Sequence, residues 1–304
     1  MAVLGPGGVG GFIAAALSWA GTEVTVVARE PTAELIARRG IALRSVRLGE
    51  LTARPPSVAV LREPVATLVI ATKATGLDAA LARVQSDPEL VVPLLNGLDH
   101  MRVLRARFGE RRVAAGTIRI ESDRPAPGQI VHTSQFLRVD LASDDPALRP
   151  RLAELAAALT NASVPARLRD SEAQILWSKL TRLCALACTT TAADRPIGLI
   201  RADPHWRATL EACIAEACAA ARADGAEIDP RERLAELDDA HAELGSSMQR
   251  DLAAGREPEL DAIAGAVLRA AARHGLRCPT IERLSLEIAR RAGVSPPVAE
   301  QPQR

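Results

Sequence analysis

The sequence predicts two domains, a doubly wound α/β domain over residues 1–168 and an all-α domain over residues 169–304. In the first part of the chain, short β-branched runs alternate with amphipathic Ala/Leu-rich segments, which is typical of a parallel sheet covered by helices. After about residue 168 the strand pattern disappears and the regular segments have helical periodicity. A length of 304 residues also suits two ordinary domains.

The strands and helices of the first domain follow from these patterns. The predicted strands are Val24–Ala28, Thr67–Ala71, Leu90–Leu94 and Val113–Ile120. The predicted helices are Val9–Trp19, Leu77–Val84 and Met101–Phe108. Two more strands, Gln129–His132 and Phe136–Asp140, are expected to lie around a turn as an antiparallel edge.

The second domain is predicted to contain helices alone. These helices are Glu172–Ala193, Pro204–Ala223, Pro230–Leu237, Glu259–His274 and Thr280–Arg291. The last segment, Ser295–Arg304, has three prolines and few apolar residues, and we expect a loose tail there.

Composition excludes several classes of protein. The formal net charge is +1, with 48% hydrophobic and 25% charged residues, so neither nucleic acid nor a membrane surface is an expected partner. The sequence shows no signal peptide and no apolar run of membrane-spanning length. Five cysteines without a C-x-x-C pair indicate reduced core thiols and a cytoplasmic protein. No His or Cys spacing predicts a metal site.

Lysine is almost absent from the chain. Lys73 and Lys179 occur beside thirty-six arginines, as expected of a GC-rich genome in which arginine replaces any lysine that serves only as a solvated cation. A lysine that is retained has properties that arginine lacks, a compact ammonium group and a pKa of about 10 that burial can lower. Chance survival is the alternative. These two residues are therefore the first candidates for chemistry.

Residues 5–10 read Gly-Pro-Gly-Gly-Val-Gly, which is G-x-G-x-x-G after a strand and at the start of a helix. The first glycine allows a tight turn, the second lets the backbone approach a pyrophosphate, and the third allows close packing of helix on strand. This context predicts a Rossmann-type dinucleotide site rather than a purely structural glycine turn. The predicted cofactor-binding residues of this loop are Gly5, Gly7, Gly8, Val9 and Gly10.

The end of the second predicted strand selects the cofactor. An acid there would bind the ribose hydroxyls of NAD, whereas an arginine favours the 2′-phosphate of NADP. Arg29 follows the strand directly and predicts NADP. Glu30 comes next and leaves NAD as the alternative.

Polar residues also follow two later strands. Lys73 comes after Thr67–Ala71, and Asn96, one of only two asparagines, comes after Leu90–Leu94. The carboxyl ends of parallel strands share one edge, where open α/β sheets bind ligands. Both residues are therefore candidates for contact with cofactor or substrate.

Joined to the glycine loop, four short motifs give the chain its resemblance to the ketopantoate reductase (2-dehydropantoate 2-reductase) family, over residues 1 to about 292. They keep the order and spacing of that family. The motifs are Thr-Lys-Ala at 72–74, Asn-Gly at 96–97, Trp-x-Lys-Leu at 177–180 and Ser-Ser-Met…Glu at 246–259.

The resemblance implies an NADPH-dependent reduction of a 2-keto acid or related small carbonyl, such as 2-dehydropantoate to pantoate in pantothenate biosynthesis. Lys179 would be the general acid, and Glu259 would hydrogen-bond the substrate or Lys179. Asn96 and Lys73 would position nicotinamide and substrate, and Ser247 would hold the substrate carboxylate. The chemistry is also reasonable by itself, because hydride addition to a ketone creates an alkoxide that needs a nearby acid.

Each of these residues also has a structural alternative. Lys179 would then be an ordinary helix lysine and Lys73 a surface lysine at the end of a strand. Glu259 would stabilise the N-terminus of a helix through the macrodipole, and Ser247 would be a helix N-cap.

The chain departs from the family after its Trp-x-Lys-Leu motif. The family pattern has asparagines four and eight residues after the lysine, whereas this chain has Leu183 and Ala187. Positions 179, 183 and 187 share one helix face, so the departure predicts a substrate more apolar than ketopantoate, outside pantothenate synthesis, unless another residue replaces the amides. A non-catalytic NADP-binding sensor is the remaining alternative. The alanine-rich second domain is a candidate homodimer interface.

Overall fold

The computed structural model describes residues 1–298. The last six residues of the predicted tail lie outside the described residues. Contacts divide the chain into two units: Met1–Leu95 with His100–Ile175 form the first, and Asn96–Asp99 with the chain from Leu176 onward form the second. The short segment Asn96–Asp99 therefore belongs to the second unit although it follows a strand of the first.

The regular elements of the described chain are as follows. The strands are β1 (Ala2–Leu4), β2 (Thr25–Val27), β3 (Ile41–Ser45), β4 (Gly49–Ala53), β5 (Ser57–Val58), β6 (Thr67–Ile70), β7 (Leu90–Pro93), β8 (Ala115–Arg119), β9 (Ser122–Ala126), β10 (Gln129–His132), β11 (Arg138–Ala142) and β12 (Ala166–Arg169). The helices are α1 (Gly8–Trp19), α2 (Glu30–Arg39), α3 (Leu77–Leu81), α4 (His100–Phe108), α5 (Arg149–Asn161), α6 (Glu172–Ala193), α7 (Ile197–Ala202), α8 (Pro204–Ala223), α9 (Pro230–Asp238), α10 (Ser247–Ala253), α11 (Ala266–Arg273) and α12 (Pro279–Ala292).

The first unit is built on a parallel sheet with strand order β5-β2-β1-β6-β7. Strand β1 pairs in parallel with β2 on one side and with β6 on the other. The strand order therefore reverses beside β1, and such a switch point is where doubly wound sheets bind ligands. A parallel bridge between Val91 and Val113 leads from β7 towards the sheet β12-β11-β8. The predicted doubly wound α/β domain is confirmed.

Helix α1 is buried on more than one side. A second sheet, with strand order β4-β3-β10-β9, packs against it, and the rings of Phe12 and His132 meet edge to face at 4.8 Å. A Cβ added to Gly11 would lie 2.4 Å from Cδ1 of Ile130. A helix covered in this way is apolar all round, which explains why residues 10–17 are all buried.

The predicted antiparallel edge over residues 129–140 is wrong. Strand β10 forms as predicted but pairs with β3 and β9, whereas β11 pairs with β8 and β12 in a different sheet. The hairpin partner of β10 is β9, whose sequence Ser-Asp-Arg-Pro-Ala carries no β-branched residue and so gave no strand pattern. The turn between them contains Gly128 with φ +75°, a Pro-Gly turn that the sequence did show.

The second unit is helical in the part of the chain that the structure describes. Helices α6 and α8 have the predicted bounds, α9 is one residue longer at its C-terminal end, and α12 is one residue longer at both ends. The helix predicted over Glu259–His274 forms from Leu260 to Arg273, with a π-helical turn, Asp261–Gly265, before α11. The five cysteines are free and buried. Among the helices of residues 1–298, none has the length and apolarity that a membrane crossing requires.

Candidate active site

The glycine loop joins β1 to α1 in the first unit, and the turn itself requires glycine at positions 5 and 10. Gly5 has φ +89°, a conformation that L side chains rarely adopt, and an added Cβ would lie 2.6 Å from Cγ2 of Thr72. A Cβ on Gly10 would lie 2.2 Å from the carbonyl oxygen of Gly5 and 3.0 Å from Cβ of Ala71. These contacts fix the turn and bring α1 close to the end of β6.

Gly7 has a different environment. No atom of the described residues lies within 4 Å of a Cβ built on it, and no side chain of these residues caps the N-terminus of α1, where Gly7 is the N-cap. The fold alone therefore gives no reason for a glycine here. An uncapped helix N-terminus with open space before it fits the binding of a phosphate group.

Gly8 and Val9 complete the predicted loop. A Cβ on Gly8 would lie 2.2 Å from the carbonyl oxygen of Ser122, and the Ser122 hydroxyl donates to the Gly8 carbonyl at 2.8 Å. The packing of α1 against β9 thus accounts for Gly8. Val9 is half-buried in the first turn of α1.

Arg29 is the N-cap of α2 and is exposed. Within residues 1–298 its guanidinium has no hydrogen bond or ion pair. Glu30, also exposed, is the first residue of α2. The structure therefore places both candidate selectors of the cofactor in solvent after β2.

Lys73 lies two residues beyond Ala71 at the carboxyl end of β6. It has an extended backbone conformation (φ −70°, ψ 150°), precedes a 3₁₀ turn and is exposed. The neighbouring Thr72 hydroxyl is buried without a hydrogen-bond partner among the described residues. A buried hydroxyl without a partner is costly, so this position beside Gly5 has an unused hydrogen-bonding group.

Asn96 and Glu259 are hydrogen-bonded in the second unit. Nδ2 of Asn96 donates to Oε2 of Glu259 at 3.0 Å, and Glu259 is only 8% exposed. The next residue, Gly97, has φ +86°, and a Cβ there would lie 2.1 Å from the carbonyl oxygen of Ala262. The Asn-Gly pair thus lies directly against the π-helical turn that follows Glu259.

Lys179 lies in α6 and is half-buried. Two residues earlier, the indole of Trp177 is buried and donates to Oδ2 of Asp224 at 3.0 Å. Burial would raise the pKa of Asp224, but the hydrogen bonds from Trp177 and His274 and the charge of Arg273 together hold it below its usual value. The Trp177–Asp224 bond thus ties α6 to the end of α8, two residues from Lys179. Sequence reasoning missed Asp224, which no motif distinguishes from other surface acids.

Ser247 is exposed as the first residue of α10. The N-cap of this helix is its neighbour Ser246, whose hydroxyl accepts from the backbone N–H of Gln249 at 3.0 Å. Ser246 is buried and also accepts a hydrogen bond from Thr190 of α6 at 3.0 Å. The structural alternative for Ser247, an N-cap, is therefore wrong, and its hydroxyl is accessible.

The two positions where the family pattern has asparagine differ in exposure. Leu183 is half-buried, like Lys179 one turn before it, whereas Ala187 is completely buried. Of the two positions, only Leu183 has exposed surface.

The predicted residues thus fall into two groups. The glycine loop, Arg29 and Lys73 belong to the first unit, and Asn96, Lys179, Ser247 and Glu259 belong to the second. Within residues 1–298 there is no cluster of three or more His, Cys, Asp or Glu side chains that could hold a metal ion.

Comparison with known proteins covers both parts of the chain. Residues 1–142 match the family model described as "Ketopantoate reductase PanE/ApbA", and residues 173–299 match "Ketopantoate reductase PanE/ApbA C terminal". The 2-dehydropantoate 2-reductase of Mycobacterium tuberculosis (strain ATCC 25618 / H37Rv) is 30% identical over 285 residues, covering 92% of this chain and 93% of that protein.

Solved structures show the same fold. The 2-dehydropantoate 2-reductase from Geobacter metallireducens GS-15 has a TM-score of 0.88 at 25% identity and covers 95% of this chain and 99% of its own. A D-mandelate dehydrogenase, solved with NADH and anilino(oxo)acetate, has a TM-score of 0.87 at 20% identity and covers 96% of this chain and 98% of its own. At 20% identity the likeness shows the fold alone.

Proposed function

This chain belongs to the ketopantoate reductase family of oxidoreductases, and we propose that it reduces a small 2-keto acid to the 2-hydroxy acid with NADPH, using Lys179 as the general acid. The observation that carries the proposal is the bond between Asn96 Nδ2 and Glu259 Oε2. It joins two residues 163 positions apart and holds a buried carboxylate in the same unit as Lys179. Burying a carboxylate costs free energy, and a role of Glu259 in an active site would explain why this cost is tolerated.

The first unit supports the binding of the cofactor. NADPH would supply the hydride to the carbonyl carbon of the substrate when bound. The uncapped N-terminus of α1, with open space at Gly7, would bind the pyrophosphate through its backbone N–H groups. The residues of the first unit proposed to hold the cofactor are Gly5, Gly7, Gly8, Val9, Gly10, Arg29 and Lys73; Asn96 of the second unit is proposed to contact it as well.

Lys179 is proposed to donate a proton to the substrate carbonyl oxygen. As the carbonyl carbon gains the hydride, its oxygen develops negative charge, and an ammonium group both stabilises that charge and transfers the proton. Glu259, held by Asn96, is proposed to accept a hydrogen bond from the substrate or from Lys179. Ser247 is proposed to donate its accessible hydroxyl to the substrate carboxylate.

NADP rather than NAD is proposed because of Arg29. Its guanidinium is exposed and has no partner within the described residues, so it can bind a 2′-phosphate without breaking an existing bond. Glu30 is equally exposed and supports the alternative, as does the NADH of the D-mandelate dehydrogenase that shares the fold.

The proposed substrate is more apolar than ketopantoate. Leu183 lies one turn from Lys179 and is half-buried, so it offers an aliphatic surface where the family pattern has an amide. A hydroxylated substrate would lose water at this point without gaining a partner. The fully buried Ala187 adds nothing to this argument, which therefore depends on Leu183.

The test measures the oxidation of NADPH, through the loss of its absorbance, with each member of a panel of 2-keto acids. The panel contains ketopantoate, 3-methyl-2-oxobutanoate and phenylglyoxylate, and the same assays are run with NADH. We expect turnover of at least one member, with the less polar acids preferred. A clear preference for ketopantoate would refute the altered substrate, and cofactor binding without turnover of any member would favour the sensor.

A further inference from the structure

Arg269 of α11 forms a bridge between two segments of the second unit. Its Nη2 donates to Oδ2 of Asp99 at 2.7 Å, and its Nη1 donates to Oδ1 of Asp261 at 2.7 Å. Further bonds run from Nε to Asp99 and from Nη2 to the carboxylate and carbonyl of Asp261, at 3.0 to 3.3 Å. We refer to these contacts of Arg269 with Asp99 and Asp261 as the Arg269 bridge.

The two acids lie next to the proposed active-site pair. Asp99 is three residues after Asn96, in the segment Asn96–Asp99 that packs with the second unit. Asp261 is two residues after Glu259 and begins the π-helical turn. The Arg269 bridge therefore connects the same two segments that the Asn96–Glu259 hydrogen bond connects.

The guanidinium of the bridge is sheltered from solvent, whereas the side chains of Asp99 and Asp261 are 39% and 70% exposed. The Arg269 side chain is 16% exposed. Burial would lower its pKa, but the hydrogen bonds and charges of Asp261 and Asp99 outweigh burial and raise the pKa, so the charge on Arg269 is retained.

Two glycines allow this arrangement. A Cβ on Gly265 would lie 2.7 Å from Oδ1 of Asp261 and 3.0 Å from Nη1 of Arg269, so any side chain there would displace the bridge. Gly97 lets its own segment lie against the carbonyl of Ala262. The π-helical turn, a feature often found at functional sites, is thus in close contact with Gly97 on one side and with the Arg269 bridge at Gly265.

We infer that Arg269 is a positioning residue that sets the distance between Asn96 and Glu259 by binding the acids that flank them, Asp99 and Asp261. This inference rests on the proposed function, because it assigns Asn96 and Glu259 to the active site. A single hydrogen bond between two loop-borne side chains permits rotation about its own axis. A second bridge, with planar guanidinium geometry, removes that freedom.

The first experiment does not depend on activity. Hydrogen–deuterium exchange is measured for the peptides that cover residues 96–99 and 259–265 in the unmodified protein and in Arg269→Met. The control is Arg207→Met, because Arg207 also bridges two acids of the second unit, Glu211 and Asp238. We expect faster exchange in both segments for Arg269→Met only. Unchanged exchange, or an equal increase across α8, would overturn the inference, since the latter would indicate a general loss of stability.

The second experiment measures kcat and KM for the panel member that is turned over best. We expect kcat/KM of Arg269→Met to fall by up to about 10²-fold, the cost of a misplaced group, through kcat more than through KM for NADPH. Arg269→Lys should restore part of the loss, because an ammonium can bind one acid but lacks the planar fork. In an Asn96→Ala background, Arg269→Met should cost much less, since coupled residues are not additive.

The outcomes separate the two proposals. If the unmodified protein turns over no panel member, the proposed function fails and exchange alone decides on Arg269. If it turns over a substrate and Arg269→Met is as active, or if the two losses are additive, the positioning role is wrong and the proposed function stands. Should Arg269→Met fail to fold, Arg269→Lys and Asp99→Asn replace it in the same measurements.

Discussion

Replacing Gly7 and Gly10 by alanine separates cofactor binding from folding. For Gly7→Ala, the backbone conformation (φ −76°, ψ −164°) is open to alanine, and the added methyl group meets no described atom within 4 Å. The lower chain entropy of alanine stabilises by about 0.4–1 kcal/mol, and its poorer N-cap propensity costs a similar amount. We therefore expect the free energy of unfolding to change by less than about 0.5 kcal/mol.

For Gly10→Ala, in contrast, we expect the free energy of unfolding to fall. Alanine would gain about 1 kcal/mol in helix propensity, but its Cβ would lie 2.2 Å from the carbonyl oxygen of Gly5, and a backbone atom cannot rotate away. Overpacking of this kind costs about 1–3 kcal/mol, which leaves a net loss of up to about 2 kcal/mol. For a chain of 304 residues, with an unfolding entropy of about 2.1 cal/mol/K per residue, that lowers Tm by up to about 3 °C.

The assay is thermal unfolding with and without NADPH. At a hundredfold excess over Kd, a ligand stabilises by about 2.7 kcal/mol, and a tenfold loss of affinity halves this effect. We expect Gly7→Ala to keep the Tm of the free protein and to lose at least half of the shift caused by NADPH. If Gly7→Ala kept the full shift, the glycine loop would not be the pyrophosphate site.

Three further predictions concern single side chains. Lys179→Ala should lower turnover by about 10²–10⁴-fold and leave NADPH binding intact. Lys179→Arg should also lose turnover, because a guanidinium is a poor proton donor. Near-normal turnover of the arginine variant would show that only the positive charge is needed. Arg29→Ala should narrow the preference for NADPH over NADH by about 1.5–3 kcal/mol, whereas equal affinities in the unmodified protein would contradict the role of Arg29. Leu183→Asn should improve kcat/KM for ketopantoate relative to 3-methyl-2-oxobutanoate by about 0.5–1.5 kcal/mol; an unchanged ratio would remove Leu183 from the substrate site.

The first unit could be predicted well where strands are buried on both faces. Residues 67–70 and 90–93 are all buried, and such strands are continuous apolar runs that sequence patterns detect. In the four-stranded sheet only β10 was predicted, because β3, β4 and β9 are half-exposed or polar. In β9 three of the five residues are exposed, and its pairing is set by the Pro-Gly turn and by α1 rather than by its own composition.

In the helical unit, the helix predicted next to the candidate site is present, but its π-helical turn was not predicted. A single helix over Glu259–His274 satisfies the periodicity, because one extra residue in a π-helical turn shifts the apolar face by only part of a turn. The turn is in contact with Gly97, Gly265 and Arg269. These residues are far apart in sequence or lack an apolar side chain, so they add nothing to the apolar pattern. The apolar periodicity of one segment cannot predict contacts with other segments.

Burial limits what the absence of asparagine at positions 183 and 187 indicates about the substrate. From the sequence, positions 183 and 187 are equivalent, since both lie on the face of Lys179 at whole-turn spacing. The structure makes them different, because Ala187 is fully buried and Leu183 is not. An asparagine at 187 would have to satisfy its amide inside the helical core, next to small residues such as Cys184 and Cys188. Alanine at 187 is thus explained by packing alone, and the specificity of this enzyme should change with the residue at 183.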